Sequence, residues 1–132
     1  EGGEVIDLAG RFAAILDDIV IAVDEAAPRH ADLVIFRRAE EARDSLSAGP
    51  LAIRLFLLVA ERYPTSVIAP KALLAAAFLR PVLHDSVQLV LRRRYPDSPY
   101  TRAFAGDFRP EYTTIEDSIR TLLTREILRA RE

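Results

Sequence analysis

The chain has 132 residues, half of them apolar and 29% charged, with a net charge of −2. That leaves room for one domain around one core, and the balance is that of a soluble globular protein rather than a disordered or bilayer-embedded one. Cysteine is absent, which excludes disulfides, thiolate nucleophiles and sulfur-ligated zinc.

Methionine is absent too, even at position 1, so the expectation is a processed chain or a fragment with any targeting segment outside the sequence. The charge is uneven. Residues 1–49 carry eleven acids and five bases, residues 50–110 four acids and nine bases, and residues 111–132 five acids and four bases. An acidic first third and a basic middle either attract each other within the fold or offer charged faces to a partner. The bases are seventeen arginines and one lysine, Lys71, a bias from which no function follows.

From residue 5 to 23, Val5, Leu8, Phe12, Leu16, Ile19 and Val23 recur at three- and four-residue steps, which predicts an amphipathic helix. Asp7, Arg11, Asp17, Asp18 and Asp24 interrupt it too often for a membrane span. Ile6, Ile15 and Ile21 fall off the main stripe, giving more apolar circumference than one core contact needs. They are candidate partner contacts, the alternative being a helix sandwiched between others of the same domain.

A second helix is predicted over 31–46, with Pro28 at its approach and Ser47, Ala48 and Gly49 closing it. Pro50 opens a third that runs to Arg62 and is stopped by Tyr63 and Pro64. Ser66 as N-cap and Pro70 in the first turn open a fourth, which passes through Phe78 and ends at Pro81. A fifth covers 82–94, up to Tyr95 and Pro96. Ser98 and Pro99 then cap a short helix over 100–105 that stops at Gly106. Thr113 and Glu116 form a capping box for the last helix, with Ile115, Ile119, Leu122 and Leu123 as its buried stripe. No stretch alternates like a strand between turn residues, so no sheet is expected.

The signals Tyr63, Pro64, Thr65, Ser66 and Tyr95, Pro96, Asp97, Ser98 are nearly the same, 32 positions apart. Recurrence at this spacing marks stacked helix pairs, because one pair cannot bury its apolar face alone. The run Ala39, Ala42, Leu46, Gly49, Ala52, Phe56, Val59, Tyr63 and Pro64 resembles a tetratricopeptide motif, with small residues where helices touch, an aromatic knob and a terminal proline. Ala69, Pro70, Lys71, Ala72, Leu73 and Leu74 look like the opening of the next repeat. The second repeat has His84 and Gln88 where small and aromatic residues would be expected. In style the chain resembles bacterial outer-membrane assembly lipoproteins and related periplasmic helical-repeat proteins. The resemblance implies an all-α fold of six or seven helices in stacked tetratricopeptide-like pairs. It would form one domain over 1–132, with an N-terminal helix in 1–27, the repeat-like pairs in 31–106 and a capping helix in 111–132. It also implies an extracytoplasmic setting.

Chemistry is poorly provided for. His84, Asp85 and Ser86 are consecutive and point to different sides of a helix, so they cannot form a nucleophile–base–orienter relay. The only other histidine is His30, too few for a histidine metal cluster. Glu40, Glu41 and Asp44 interleave with Arg37, Arg38 and Arg43 and read as a solvated ion-pair face. No glycine-rich phosphate loop is present. We therefore expect no enzyme, cofactor or metal.

Arg92, Arg93 and Arg94, with Arg80, Arg102 and Arg109 nearby in sequence, suggest a basic patch, and Tyr100 could line a groove beside it. An acidic chain whose basic run ends a helix, where arginines meet the negative end of the dipole, argues against nucleic acid. An acidic protein surface or anionic headgroups suit these arginines better. The leading expectation is a protein-binding module that holds a peptide or subunit through Ile6, Ile15, Ile21, Arg92, Arg93, Arg94, Tyr100 and Arg102. The alternative is an accessory subunit docked on the water-exposed face of a bacterial membrane protein complex.

Overall fold

The computed structural model describes residues 30–45 and 47–130. The helix expected over residues 5–23 lies outside them. Six helices follow in order: α1 (Ala31–Asp44), α2 (Gly49–Arg62), α3 (Ala69–Leu79), α4 (His84–Arg94), α5 (Pro99–Phe104) and α6 (Pro110–Ala130), with a 3-10 turn over Pro81–Leu83 between α3 and α4. The fold is all-α, and no strand occurs among the described residues. No helix among them is long and apolar enough to cross a membrane.

Short connections make consecutive helices neighbours. α1 packs on α2, α2 on α3, and α3 on α4 and α5, while α6 returns to lie against α1 and α5. The main core gathers Phe36, Phe56, Leu55, Ile68, Tyr100 and Ile119, all buried, and the Phe36 and Phe56 rings meet edge to face at 5.2 Å. Each such side chain removed from water contributes about 1.5–3 kcal/mol before chain entropy is counted. A smaller cluster of Ala60, Leu73, Ala77, Val87 and Leu91 joins α4 to the body. The ion pair of Lys71 Nζ with Glu116, at 2.8 Å, fastens α3 to α6.

The two Tyr-Pro-x-Ser turns are built alike. Both helices end on a tyrosine in the same backbone conformation, Tyr63 (φ −126, ψ 62) and Tyr95 (φ −131, ψ 51). In both the serine N–H donates to the tyrosine carbonyl, at 3.0 and 3.1 Å, and the serine Oγ accepts from the N–H two residues on, at 3.2 Å. The turns also touch: Tyr95 Oη donates to the Pro64 carbonyl at 2.6 Å.

Several expected helix ends move. α1 stops at Asp44, two residues early, and Ser47 rather than Gly49 takes the left-handed conformation (φ 49), so Gly49 starts α2 instead of closing α1. Ser98 is the N-cap of α5 as expected, but Ser66 is not the N-cap of α3, which begins at Ala69 with Ile68 ahead of it. The proline decides: Pro99 directly follows its serine and sets the first helical φ, whereas Pro70 comes four residues after Ser66. The fifth helix is a 3-10 turn first and α-helical only from His84. The capping box is also overturned. Pro110 opens α6, Thr113 lies inside the helix, and the Glu116 carboxylate goes to Lys71. The expected stripe holds, with Ile119 buried and Ile115, Leu122 and Leu123 packed around it. Gly106 ends α5 as expected: its φ of 91 suits glycine, and its N–H and that of Asp107 return to the Ala103 and Arg102 carbonyls at 2.9 Å.

Candidate partner-binding surface

α3 is apolar around nearly its whole circumference, and seven of its eleven residues are buried. Phe78 is the exception, near the C-terminal end and 72% exposed. Pro81 cannot continue the helix, and the turn that replaces it leaves Val82 82% exposed. The loop after α5, bounded by Gly106 and Pro110, carries Phe108, 67% exposed. Its ring stands edge-on to Tyr112 at 5.2 Å, and Tyr112 stands edge-on to the buried Tyr100 at 5.7 Å.

Between these elements lies a hollow of about 350 Å³ walled by Phe78, Pro81, His84, Phe104 and Phe108, with Ala77, Ala103 and Gly106 adding little bulk. The His84 ring stacks on Phe104 at 4.6 Å, and its Nδ1 lies 3.3 Å from the Asp85 carboxylate. Large apolar side chains left in water around one concavity are the usual mark of a surface that another molecule covers. The arginines that neighbour its lining residues in sequence are unequal. Arg109 is bound to Asp107 at 3.0 Å, while Arg80 and Arg102 make no ion pair among the described residues.

On its other side Phe78 also walls a cleft of about 270 Å³ between α1, α3 and α6, with Glu40, Arg43, Lys71 and Glu116 on its lining. Here the charges answer one another: Lys71 meets Glu116 at 2.8 Å and Arg43 meets Glu40 at 3.7 Å. Lys71 Nζ also sits over the Phe36 and Tyr100 rings at 5.9 and 6.0 Å. Burial raises the Glu40 carboxyl above its ordinary range, against the pull of Arg43 and Lys71. The Tyr100 hydroxyl is sealed from water and makes no hydrogen bond of good geometry. Burial first, then the neighbouring Glu116 carboxylate, hold it protonated. This cleft reads as a structural clasp. Among the described residues no group of His, Asp and Glu could hold a metal ion.

A third hollow, about 230 Å³, runs between α2, α3 and α4 along Leu57, Leu73, Val87 and Val90, with Arg94 on its lining.

The residues singled out from sequence fare differently. Ile6, Ile15 and Ile21 lie outside the described residues. Arg92, Arg93 and Arg94 are exposed in the last turn of α4 and make no ion pair among the described residues. Consecutive helical residues stand about 100° apart, so they fan around the helix end instead of forming one stripe. Arg102 is half-buried on α5. Tyr100 is a correction: it is wholly buried in the main core and lines no open groove. Its ring fills the space between α3 and α6, as Ile68 fills the equivalent position one turn motif earlier. The expected ion-pair face on α1 is present, with Arg37 and Arg38 on Glu41 at 3.2 and 3.4 Å and Arg43 on Asp44 at 2.7 Å.

Sequence reasoning passed over Phe78, Val82 and Phe108 as surface residues. A signal was there: Val82 and Phe108 are large apolar residues beside Pro81, Gly106 and Pro110, on no periodic stripe and so with no core face to occupy. In comparisons with protein-family models, curated proteins and solved structures, nothing matches this chain.

Proposed function

We propose that this chain is a non-enzymatic protein-binding module of tetratricopeptide style, holding a peptide or a subunit of an assembly at the Phe78–Val82–Phe108 end. The observation that carries the reading is the exposure of these three side chains, at 72%, 82% and 67%, of which Phe78 and Phe108 wall one hollow and Val82 follows its lining residue Pro81. Support for stacked helix pairs comes from the shared bonding of the two turns and from the Tyr95–Pro64 bond between them. The extracytoplasmic setting rests on the family resemblance.

The test is a pull-down with the tagged full chain from membrane and soluble fractions, comparing wild type with a Phe78→Ser/Val82→Ser variant. Both side chains are mostly in water, so the variant keeps its thermal unfolding midpoint and loses the partner. A partner retained by the folded variant removes this end from the interface.

A second reading is favoured by the exposed, unpaired arginines at the end of α4: an accessory subunit docked permanently on the water-exposed face of a membrane protein complex. It requires a complex that Arg92→Glu/Arg93→Glu/Arg94→Glu abolishes and that survives high salt, since surface charge alone is screened within about 10 Å at 0.1 M.

A further inference from the structure

The last helix is seated differently from the others. α6 runs antiparallel along the whole of α1: His30 Nδ1 lies 4.0 Å from Glu126 at one end, and Glu40 and Arg43 share a cleft with Tyr112 and Glu116 at the other. It also packs on α5, where Tyr112 meets Tyr100, and Glu116 ties it to Lys71 on α3. Yet among the described side chains of its 21 residues Ile119 is the sole buried apolar one, with Tyr112, Ile115, Leu122 and Leu123 half-buried. α3, with 11 residues, buries seven. We infer that the face formed by α1, α3 and α5 is a helix-binding surface with α6 as its resting occupant, and that an amphipathic helix of a partner protein takes the seat by displacing α6, independently of what the Phe78–Val82–Phe108 end holds.

The contact under α6 has the quality of an interface rather than of a core. Core packing leaves few voids larger than a water molecule, whereas a cleft of about 270 Å³ stays open between α1, α3 and α6. The Tyr100 hydroxyl is sealed beside Glu116 without a hydrogen bond of good geometry. Residues 105–109, which link α5 to α6, are all exposed, so α6 can leave without dragging buried chain with it. What stays behind coheres: Phe36, Leu55, Phe56, Val59 and Ile68 pack among themselves on α1, α2 and the approach to α3.

α6 itself shows what the seat accepts. Tyr112, Ile115, Ile119 and Leu122 recur at three- and four-residue steps along its inner face. Three residues before Ile119, the Glu116 carboxylate closes on Lys71, whose Nζ lies over the Phe36 and Tyr100 rings at 5.9 and 6.0 Å. A partner helix therefore carries the same apolar stripe and an acid one turn ahead of its central aliphatic residue. A helix without that acid covers the ammonium and leaves it unpaired, which selects against it. The tethered α6 competes at a high effective concentration, so an incoming helix binds in proportion to the fraction of chains whose seat is open.

The probe is a fluorescent peptide of residues 110–130, followed by anisotropy as the full chain is added. Its own α6 is weakened in place by Ile119→Asp or, more mildly, by Leu122→Asp/Leu123→Asp, with folding checked by circular dichroism. The peptide is expected to bind the weakened chains at least about tenfold more tightly than wild type, where α6 competes. Glu116→Lys in the peptide should weaken binding at least about tenfold, and Lys71→Glu in the weakened chain should restore it. No binding to a folded weakened chain, equal binding to wild type, or no rescue by the charge exchange overturns the inference. Should neither weakened chain fold, hydrogen exchange of the wild type decides. α6 amides that exchange as a block at least about tenfold faster than those of α2 and α3 sustain it, and exchange of all three only through global unfolding overturns it. A wild-type dimer that is lost with Ile119→Asp overturns the assignment to a partner protein in favour of a second copy's α6.

Discussion

α2 with α3, and α4 with α5, are joined by the same turn and end very differently. The first pair has 14 and 11 residues, of which six and seven are buried. The second pair has 11 and 6 residues, with two buried in each. Position by position, Phe56 in the core corresponds to the half-buried Gln88, and buried Ala52 to exposed His84. The difference lies in the neighbours. α2 is enclosed between α1 and α3, whereas α4 packs mainly on α3 and α5 and leaves Leu89 and three arginines outward. A turn is specified by its own four residues, but whether the helices it joins become core depends on what stacks outside them. Polar residues at the outer positions of an end unit are what a stacked helical architecture requires there.

The sharpest way to break this comparison is to truncate the corresponding positions. Phe56→Ala is expected to destabilise by about 3–5 kcal/mol, and Gln88→Ala to stay within about 0.5 kcal/mol, both by urea denaturation with the m-value checked. Similar losses at the two sites would mean that α4 is enclosed after all.

The serines give a finer contrast. Both accept an N–H from two residues on, but Ser66 also donates to Asp32 on α1. Ser98→Ala should cost about 1 kcal/mol, the worth of a cap, and Ser66→Ala about 2 kcal/mol because a second bond and its partner's satisfaction go with it. Equal costs would show that the Asp32 contact contributes nothing.

Dense packing in the first half also has a pH signature. Glu40 has a folded pKa raised by burial, so its contribution to stability is fully present below the unfolded value and is lost as pH rises through the raised one. Glu40→Gln is expected to be more stable than wild type at neutral pH, by less than about 1 kcal/mol given a side chain one-third exposed. The advantage should vanish in acid. A Gln variant that is less stable at pH 7 would mean that the attraction of Arg43 and Lys71 outweighs burial.

Much of the helical order was legible because turn signals are local. Tyr63 and Tyr95 stop helices, Gly106 ends α5 and Ile119 faces the core, all as their neighbours in sequence imply. The misplaced starts share a cause: where a serine or threonine cap competes with a proline, as at Ser66 with Pro70 or Thr113 with Pro110, the fixed φ of the proline decides. The candidate surface was less legible. Tyr100 has the composition of an interface residue, and only the return of α6 encloses it, a contact that no local pattern encodes. Phe78 sits in an apolar helix as any core residue would, and its exposure follows from the shortness of α5 opposite.

The clasp between α3 and α6 has a practical corollary in reactivity. Lys71 is the only lysine in the sequence, so the chain has a single side-chain amine. That amine is held at 2.8 Å by Glu116 and is 21% exposed. A reagent that acylates amines meets this nitrogen in a half-open cleft and in competition with Glu116, and once acylated the nitrogen can no longer carry the charge that closes the clasp. Mass-resolved labelling of this one position would therefore report on the state of the clasp itself, with arginine-rich surroundings contributing no competing signal.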